Sequence, residues 1–560
     1  MAQSTPQSLK LSSLLLTLLL IPPLAYSKTP SDTEKKAFNV VESSIAQLHQ
    51  ALLSGNTSCQ QVTQDHLDRI AAYDKDNGGK WPNNPKLTSV ITVNSAALEH
   101  AKALDAEQAR TGQLAGPLHC VAVLPKDNID TYDMPTTAGA TSLAKSQPPD
   151  DAYVVRKVRA AGGIIIGKAN LAEFAQTYTG ESTLGGQPLN PYDLSKGPGG
   201  SSSGTAAGIA ASFAHIGIGS DTGGSVRVPS AATALVGLRP SLRLVSQDGV
   251  MPLAPMQDTA GPMCRSVADC ATALSVMVGY DSQPTSGQRV MPNRHAALMK
   301  NADEYQAITK APVEYTQFVS DKTALKGVRM GLVRELYGKD PVVNRAVDTA
   351  IEQMRNAGAI IEEVTVQDLP AILAYPSASF YEFKESLDDY LSSWPSEKDN
   401  HPRSYAEILA TGTTMKNFND YDKDYTDPKQ RREYFLNVDA RGVFVRNRVD
   451  MALNNIDENG RSTGKPYDVL IYPGMKSFPM PIGTQPDAMH NIRLGSFTGY
   501  PSISVPAAMV KPSADQPALP IAFEILARQF DEPTLIKVGS AWEDLTKVRT
   551  PPPTTPPLKK

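Results

Sequence analysis

The sequence predicts an α/β domain with a partly parallel sheet, on three observations. Short β-branched runs alternate with amphipathic helical segments at 116–126, 151–161 and 163–167. The same alternation returns at 327–332, 341–357 and 360–364. Strands separated by helix-length segments are the signature of βαβ units and hence of parallel pairing. Finally, the chain has 560 residues, of which 41% are hydrophobic, enough to bury a large core.

The elements follow in order. Residues 35–73 read as helical, with apolar positions at Val40, Val41, Ile45, Leu48 and Leu52 and, after a turn at Ser54-Gly55-Asn56, at Val62, Leu67 and Ile70. Leu87 to Val93 reads as a strand, and Ala96 to Thr111 as a helix ending at Gly112. A buried strand then runs toward Lys126, and 151–161 is an amphipathic helix. Gly163 to Gly167 is a buried strand, followed by a helical turn or two over Leu171 to Thr177. Gly249 to Pro255 reads as extended, and Ala260-Gly261-Pro262-Met263 as the cap of a helix carrying Arg265 to Asp269. Residues 280–320 form a polar excursion. Residues 375–460 form a charged helical insertion, a candidate lid, with aromatics at Tyr375, Phe380, Tyr381, Phe383 and Tyr390. Val469 to Tyr472, Ser502 to Val505 and Ile521 to Leu526 return as core strands, and Thr534 to Thr546 is the closing helix. The Pro-rich tail, 549–560, is expected to be disordered.

The N-terminus has the pattern of an export signal over residues 1–27. Lys10 is the only charge before Lys28, Leu14 to Ile21 is an apolar run, and Pro22-Pro23 ends it. Ala25-Tyr26-Ser27 supplies the small residues of a cleavage site. The mature chain is thus expected to be secreted or periplasmic, with no later segment long enough to span a membrane; the alternative is an uncleaved anchor, for which the apolar run is short of the ~20 residues a span needs. A net charge of −4 and a pI near 6.1 give no case for a nucleic-acid partner. No feature sets an oligomeric state.

Cys59, Cys120, Cys264 and Cys270 follow the signal. Export permits disulfides, but four cysteines in so long a chain are not a disulfide scaffold. Cys264 and Cys270 read as lying on one helix, where six residues of rise separate their Cα atoms by about 9 Å, beyond the ~7 Å limit for bridging. No Cys/His spacing suggests a metal, and the eight histidines are scattered.

Three stretches carry chemistry. Gly199-Gly200-Ser201-Ser202-Ser203-Gly204 and Asp221-Thr222-Gly223-Gly224-Ser225 bracket a run of small and apolar residues. Glycine permits unusual backbone angles and close approach of a substrate, so a serine ending such a turn is placed to act as a nucleophile beside free backbone N–H groups. The third stretch is the strand ending at Lys126. Lysine is seldom buried without a reason, and desolvation lowers its pKa toward neutrality, where it serves as a base. His119 is the weaker base candidate, because it stands where the strand is entered and no carboxylate is placed to orient it.

Together these stretches resemble the amidase signature hydrolases. The resemblance runs from about residue 36 to residue 546 through GPLHCVAVLPKDNID at 116–130, GKANLAEFA at 167–175, GGSSSGTAAGIAA at 199–211, GSDTGGSVRVPS at 219–230 and GVMPLAPMQDTAGPMCRSVADCA at 249–271. YDVLIYP at 467–473, TGYPSISVP at 498–506 and LPIAFEILARQFDEPTL at 519–535 complete it. It implies a single large α/β domain, 28–548, whose mixed, largely parallel central sheet is covered by helices on both faces. It further implies an amidase that hydrolyses a carboxamide to a carboxylate and ammonia or an amine through an acyl-enzyme, with no cofactor and no metal. Lys126 is then the base, Ser201 the bridging serine after a cis peptide bond, and Ser225 the nucleophile. Backbone N–H groups of Thr222, Gly223, Gly224 and Ser225 form the oxyanion hole, supported by Ser202, Asp221 and Arg227. Cys120, Ala122, Pro125 and Ser203 depart from the family pattern, and none removes a triad atom.

Tyr381 to Leu391 looks like a segment of peptide amidases, which cleave C-terminal carboxamides; aryl or fatty acyl amides are the alternative small-molecule substrates. Gly200-Ser201-Ser202-Ser203-Gly204 also fits the G-x-S-x-G elbow, but the stretch before it, Asn190 to Pro198, is a loop rather than the required strand. The amidotransferase component that acts on charged tRNA shares the signature, and the export signal and lack of basic character argue against it. An inactive exported binding relative is opposed by the intact Lys126, Ser201 and Ser225.

Overall fold

The computed structural model describes residues 38–76, 84–282, 299–394, 401–423, 427–484 and 491–559. The export signal and the expected first helical residues, 35–37, lie outside them. The β-branched runs form β1 (Val90–Val93), β2 (Ala122–Pro125), β3 (Ile164–Ile165), β4 (Gly167–Ala169), β5 (Ile216–Asp221) and β6 (Val236–Arg239). They continue with β7 (Thr259–Cys264), β8 (Arg329–Leu332), β9 (Ile360–Glu363), β10 (Val469–Pro473), β11 (Ser502–Val510) and β12 (Leu519–Leu526). Ten of these form one mixed sheet in the order β3-β2-β5-β7-β6-β11-β12-β10-β8-β9, and β1 pairs with β4 beside it. The parallel ladders fall at the flanks, β3-β2-β5 and β10-β8-β9, while the ladders between β5 and β10 are antiparallel.

Alternation along β2 shows why both faces are covered. Val121 and Val123 belong to one core, with Val267, Leu274, Leu535 and Trp542 from the helices Val267–Met277 and Glu532–Thr546. Ala122 and Leu124 belong to another, with Ala206 and Ile209 from the helix Ser203–Ala210. Successive strand residues point to opposite faces, so a run apolar at every position is buried on both.

The helix ends follow their sequence signals. Ser58 caps Cys59–Tyr73 by accepting from Gln61 N–H, and Ser266 caps Val267–Met277 through Asp269 N–H. Asp340 with Pro341 begins Pro341–Asn356, and Gly112 ends Ala97–Thr111 at φ 69°.

Several expectations are corrected. Residues 38–44 are not helical; the first helix is Ile45–Leu53, capped by Ser44. Ala260 to Met263 is part of β7, not a helix cap, because β5 and β6 both pair with it. Cys264 therefore ends a strand and only Cys270 is helical, so helical rise does not set their separation. Gly249 to Pro255 forms no strand beyond an isolated bridge between Val250 and Ile129. Leu171 to Thr177 contains only the 3₁₀ turn Glu173–Ala175.

The Pro-rich tail is packed rather than disordered. Arg69 donates to the carbonyls of Thr555 and Pro556, Tyr73 donates to Pro556, and Thr554 donates to the Pro191 carbonyl. Backbone polar groups of these residues thus have fixed partners, which composition alone does not reveal. Arg549 pairs with Glu42 at 2.7 Å.

The insertion is helical over Ser379–Ser392, Tyr405–Ala410 and Arg441–Leu453, among other turns. Its aromatics mostly pack: Phe383 and Tyr390 are fully buried with Phe418, Tyr405 and Trp394 against Phe174, Met251 and Leu253. Tyr381 packs with Tyr434 and Ala254.

Cys59 and Cys120 form a disulfide that joins the start of the helix Cys59–Tyr73 to the entry of β2. His119 Nε2 stands 3.6 Å from Cys59 Sγ, a cluster that sequence spacing did not show. With both sulfurs joined, neither thiolate is available to a metal, and Ala115 N–H donates to His119 Nδ1.

Candidate active site

The parallel ladder between β2 and β5 brings the lysine stretch beside the second serine loop. Val123, Leu124 and Pro125 lie opposite Ile216, Gly217 and Ile218, and the Lys126 N–H donates to the Ile218 carbonyl. Pro125 has no N–H to give, and β3 ends at Ile165, before the register reaches it. β2 therefore delivers Lys126 next to Ser220 and Asp221 at the end of β5.

Lys126 has no exposure, and its Nζ donates to Ser201 Oγ at 2.7 Å and to Ser220 Oγ at 2.8 Å. Asn128 Nδ2 donates to the same Ser220 hydroxyl at 3.1 Å. Burial lowers the Lys126 pKa to about 7, although Asp221 and Asp258 pull it upward. Among the described residues no carboxylate forms an ion pair with the ammonium, so the neutral amine is accessible near pH 7.

Ser201 follows a cis peptide bond from Gly200, as the resemblance implied. Its carbonyl accepts from Ala172 N–H. The helix Ser203–Ala210 begins two residues later. A Cβ on Gly204 would come within 2.2 Å of the Ser89 carbonyl oxygen, so only glycine lets this helix start against the β1 segment. Ser202 N–H donates to the Ser225 carbonyl at 3.3 Å, tying the two serine loops together, and Ser202 Oγ donates to the Ser220 carbonyl.

The loop Asp221 to Ser225 is gripped by its carbonyls. The Asp221 carbonyl accepts from Arg239 Nη1, the Thr222 carbonyl from Gln257 Nε2, and the Gly223 carbonyl from Tyr178 Oη. In a trans peptide the N–H points away from the C=O. Among the described residues, the amides of Gly223 and Ser225 have no acceptor. Gly224 is different: its N–H donates to Asp221 Oδ1 at 2.8 Å, which engages one of the four amides expected in the oxyanion hole. Gly224 lies at φ 121°, and a Cβ there would meet Ile492 Cδ1 at 2.2 Å.

Ser225 is 5% exposed. Among the described residues its hydroxyl has no hydrogen-bond partner, and the bridge to Ser201 expected for the relay is not formed. Catalytic hydrogen bonds commonly tighten only when substrate is bound.

Asp221 anchors the loop from below. It accepts from Gly224 and Val226 N–H, from Arg227 Nε and Nη2, and from Arg239 Nη1. Burial alone would raise its carboxyl; Arg227 and Arg239 overcome that and hold it far below the usual carboxylate range. Arg227 also donates to Glu524, Ser496 and the Ile492 carbonyl, which ties the loop to β12 and to the helix Arg493–Thr498. Thr222 Oγ1 donates to Asp258, which in turn accepts from Leu253 and Ala254 N–H.

The structure thus brings together Lys126, Ser201, Ser202, Asp221, Ser225 and Arg227. It adds Ser220, Asn128, Tyr178, Arg239 and Gln257, whose roles sequence reasoning missed. An arginine closing the short apolar strand β6 was the one signal for Arg239, since buried charges need partners. His119 lies apart, against Cys59 and Gln108, and burial lowers its pKa.

A buried amine on a serine, beside a glycine-rich loop with unpaired amides, is the equipment of an amide C–N hydrolase. The family model described as Amidase matches residues 80–536, and the chain belongs to that family, the amidase signature hydrolases. The native peptide amidase of Stenotrophomonas maltophilia matches with a TM-score of 0.73 and 32% identity, over 91% of this chain and 98% of that one. An amidase family protein of Bacillus anthracis matches with a TM-score of 0.73 and 28% identity, over 92% of each chain. A glutamyl-tRNA(Gln) amidotransferase polypeptide of Symbiobacterium thermophilum is 31% identical over 520 residues, 90% of this chain and 97% of its own. The protein is an amidase, similar to the peptide amidases.

Proposed function

We propose that the mature chain, from Lys28 onward, is an exported amidase that hydrolyses C-terminal carboxamides of peptides to the carboxylate and ammonia through Lys126, Ser201 and Ser225. The observation that carries this reading is the 2.7 Å contact between the buried Lys126 amine and the buried Ser201 Oγ.

Once neutral, Lys126 turns its lone pair to the Ser201 hydroxyl, while Ser220 Oγ holds one of its N–H bonds. Substrate binding closes Ser225 onto Ser201. Ser225 Oγ attacks the amide carbon as its proton passes to Ser201 and that of Ser201 to Lys126. The N–H groups of Gly223 and Ser225, and that of Thr222, receive the oxyanion. The lysine proton returns along the same path to the departing nitrogen, leaving an acyl-Ser225 ester. Water enters by the reverse relay and releases the acid.

Likeness to a peptide amidase supports the peptide substrate. The N-terminal pattern and the Cys59–Cys120 disulfide support export, since disulfides persist in oxidising compartments.

The test is ammonia release from amidated dipeptides, benzamide and a fatty amide. Release fastest on the dipeptides, and abolished in both Ser225→Ala and Lys126→Ala, is expected. Activity surviving Ser225→Ala would sink the triad. Fractionation of the expressing cells, with N-terminal sequencing of the product, tests export; a cytosolic chain retaining its first 27 residues contradicts it.

A further inference from the structure

A second polar site is linked to the Asp221–Ser225 loop through Gln257. A pocket of about 250 Å³ is walled by Arg243, Arg441, Arg446 and Asp439, with Met256 and Phe497 among its apolar lining. Three guanidinium groups therefore face one carboxylate. Among the described residues none of these four groups is in an ion pair, and the Arg243 side chain has no hydrogen bond at all. Arg446 reaches only the Thr498 carbonyl, at 3.4 Å. It lies over Gly442, where a Cβ would be 3.7 Å from its Nη1.

Arg441 is buried at 2% exposure and lies over the Phe497 ring at 4.0 Å. Its Nη1 donates to the Pro376 carbonyl and its Nη2 to Gln257 Oε1, but its Nε–H is buried with no partner. An unmet donor on a buried cation is costly and calls for an acceptor. Burial, and then the neighbouring Arg446, both lower the Arg243 pKa, as expected of like charges held together.

We propose that this pocket is an anion site taking a small ligand that bears a carboxylate or phosphate group. Guanidinium forks match the geometry of both groups, and the volume admits only a small molecule. The site communicates with the loop by a short path. Arg441 Nη2 holds Gln257 Oε1, and Gln257 Nε2 holds the Thr222 carbonyl at 3.0 Å. An anion on Arg441 acts on the side chain that fixes the Thr222–Gly223 peptide.

Isothermal titration of the full mature chain with inorganic phosphate, and separately with glutamate, against sodium chloride at matched ionic strength, tests this. Saturable binding is expected for at least one anion in the wild type and in Arg110→Gln, which removes a positive charge from an exposed pair elsewhere. Affinity should fall roughly tenfold or more in both Arg243→Gln and Arg446→Gln, as loss of a charge-assisted hydrogen bond implies. Heats that never saturate, or equal affinity in all four proteins, overturn the site. Amide kinetics then separate two sources of the anion. A rise in KM alone with phosphate means the pocket holds a carboxylate of the substrate itself, and a change in kcat means a separate effector. The binding readout stands whether or not the triad assignment does.

Discussion

Tyr390, in the helical insertion, donates its hydroxyl to Asp130 at 2.6 Å, four residues beyond Lys126 in sequence and fully buried at both ends. The bond joins the insertion to the segment that follows the lysine strand. Burial pushes the Asp130 pKa up to about 8, and the Tyr390 bond works against that rise. Tyr390→Phe keeps the ring and removes the donor, so it should cost about 1–3 kcal/mol in urea unfolding. The bond is strongest to the ionised carboxylate, so the deficit should widen as pH rises through about 8. A deficit that is flat from pH 6 to 9 would mean that Asp130 does not titrate there.

In the proposed relay, Lys126 sets the pH dependence of the reaction. With its pKa lowered to about 7, kcat/KM should rise with pH and level off above that value. The stability sign is the opposite of a salt-bridged lysine. Between about 7 and the unfolded value near 10.5 the unfolded chain binds the extra proton, so stability rises with pH across that window. Lys126→Met should be inactive yet more stable than wild type at pH 6–7, with the difference shrinking toward pH 10. Parallel denaturation curves at four pH values measure it.

Asp221 is the counter-charge for both Arg227 and Arg239. Asp221→Asn leaves the buried Arg239 without an ion pair among the described residues and Arg227 with Glu524 alone, and the expected loss is about 3–5 kcal/mol. Activity should fall as well, because Gly224 and Val226 N–H lose their anionic anchor. A variant as stable as wild type would show that Glu524 alone balances the arginines.

The Cys59–Cys120 bridge closes a loop of sequence separation 61, which in the chain-entropy treatment stabilises the fold by about 4 kcal/mol. Thermal unfolding with and without reductant, beside a Cys59→Ser/Cys120→Ser double variant, should show matching drops in Tm. No shift on reduction, with free thiols confirmed, would contradict a structural role.

What the sequence made legible was whatever local chemistry decides. Ser58, Ser266, Gly112 and the Asp340-Pro341 pair marked helix ends, and the stretches around Lys126, Ser201 and Ser225 marked the candidate site. What it hid depends on distant partners. Ala260 to Met263 reads as a helix cap, yet β7 runs through it because β5 and β6 flank it. Gly261 itself is required there, since a Cβ would meet the Leu238 carbonyl oxygen at 2.2 Å. The ordered tail rests on Arg69, nearly 500 residues earlier in the chain. The grip on the Asp221–Ser225 loop comes from Tyr178, Arg239 and Gln257, which no spacing rule connects.

The Glu42–Arg549 pair has a consequence for rewiring the chain. It sets two points 507 residues apart in sequence within 2.7 Å of each other. Residues beside that pair can be joined by a short linker, and the turn at Glu458–Gly460 is exposed enough to supply new ends. A circular permutant opened there would keep β2, β5 and both serine loops on one uninterrupted stretch of backbone.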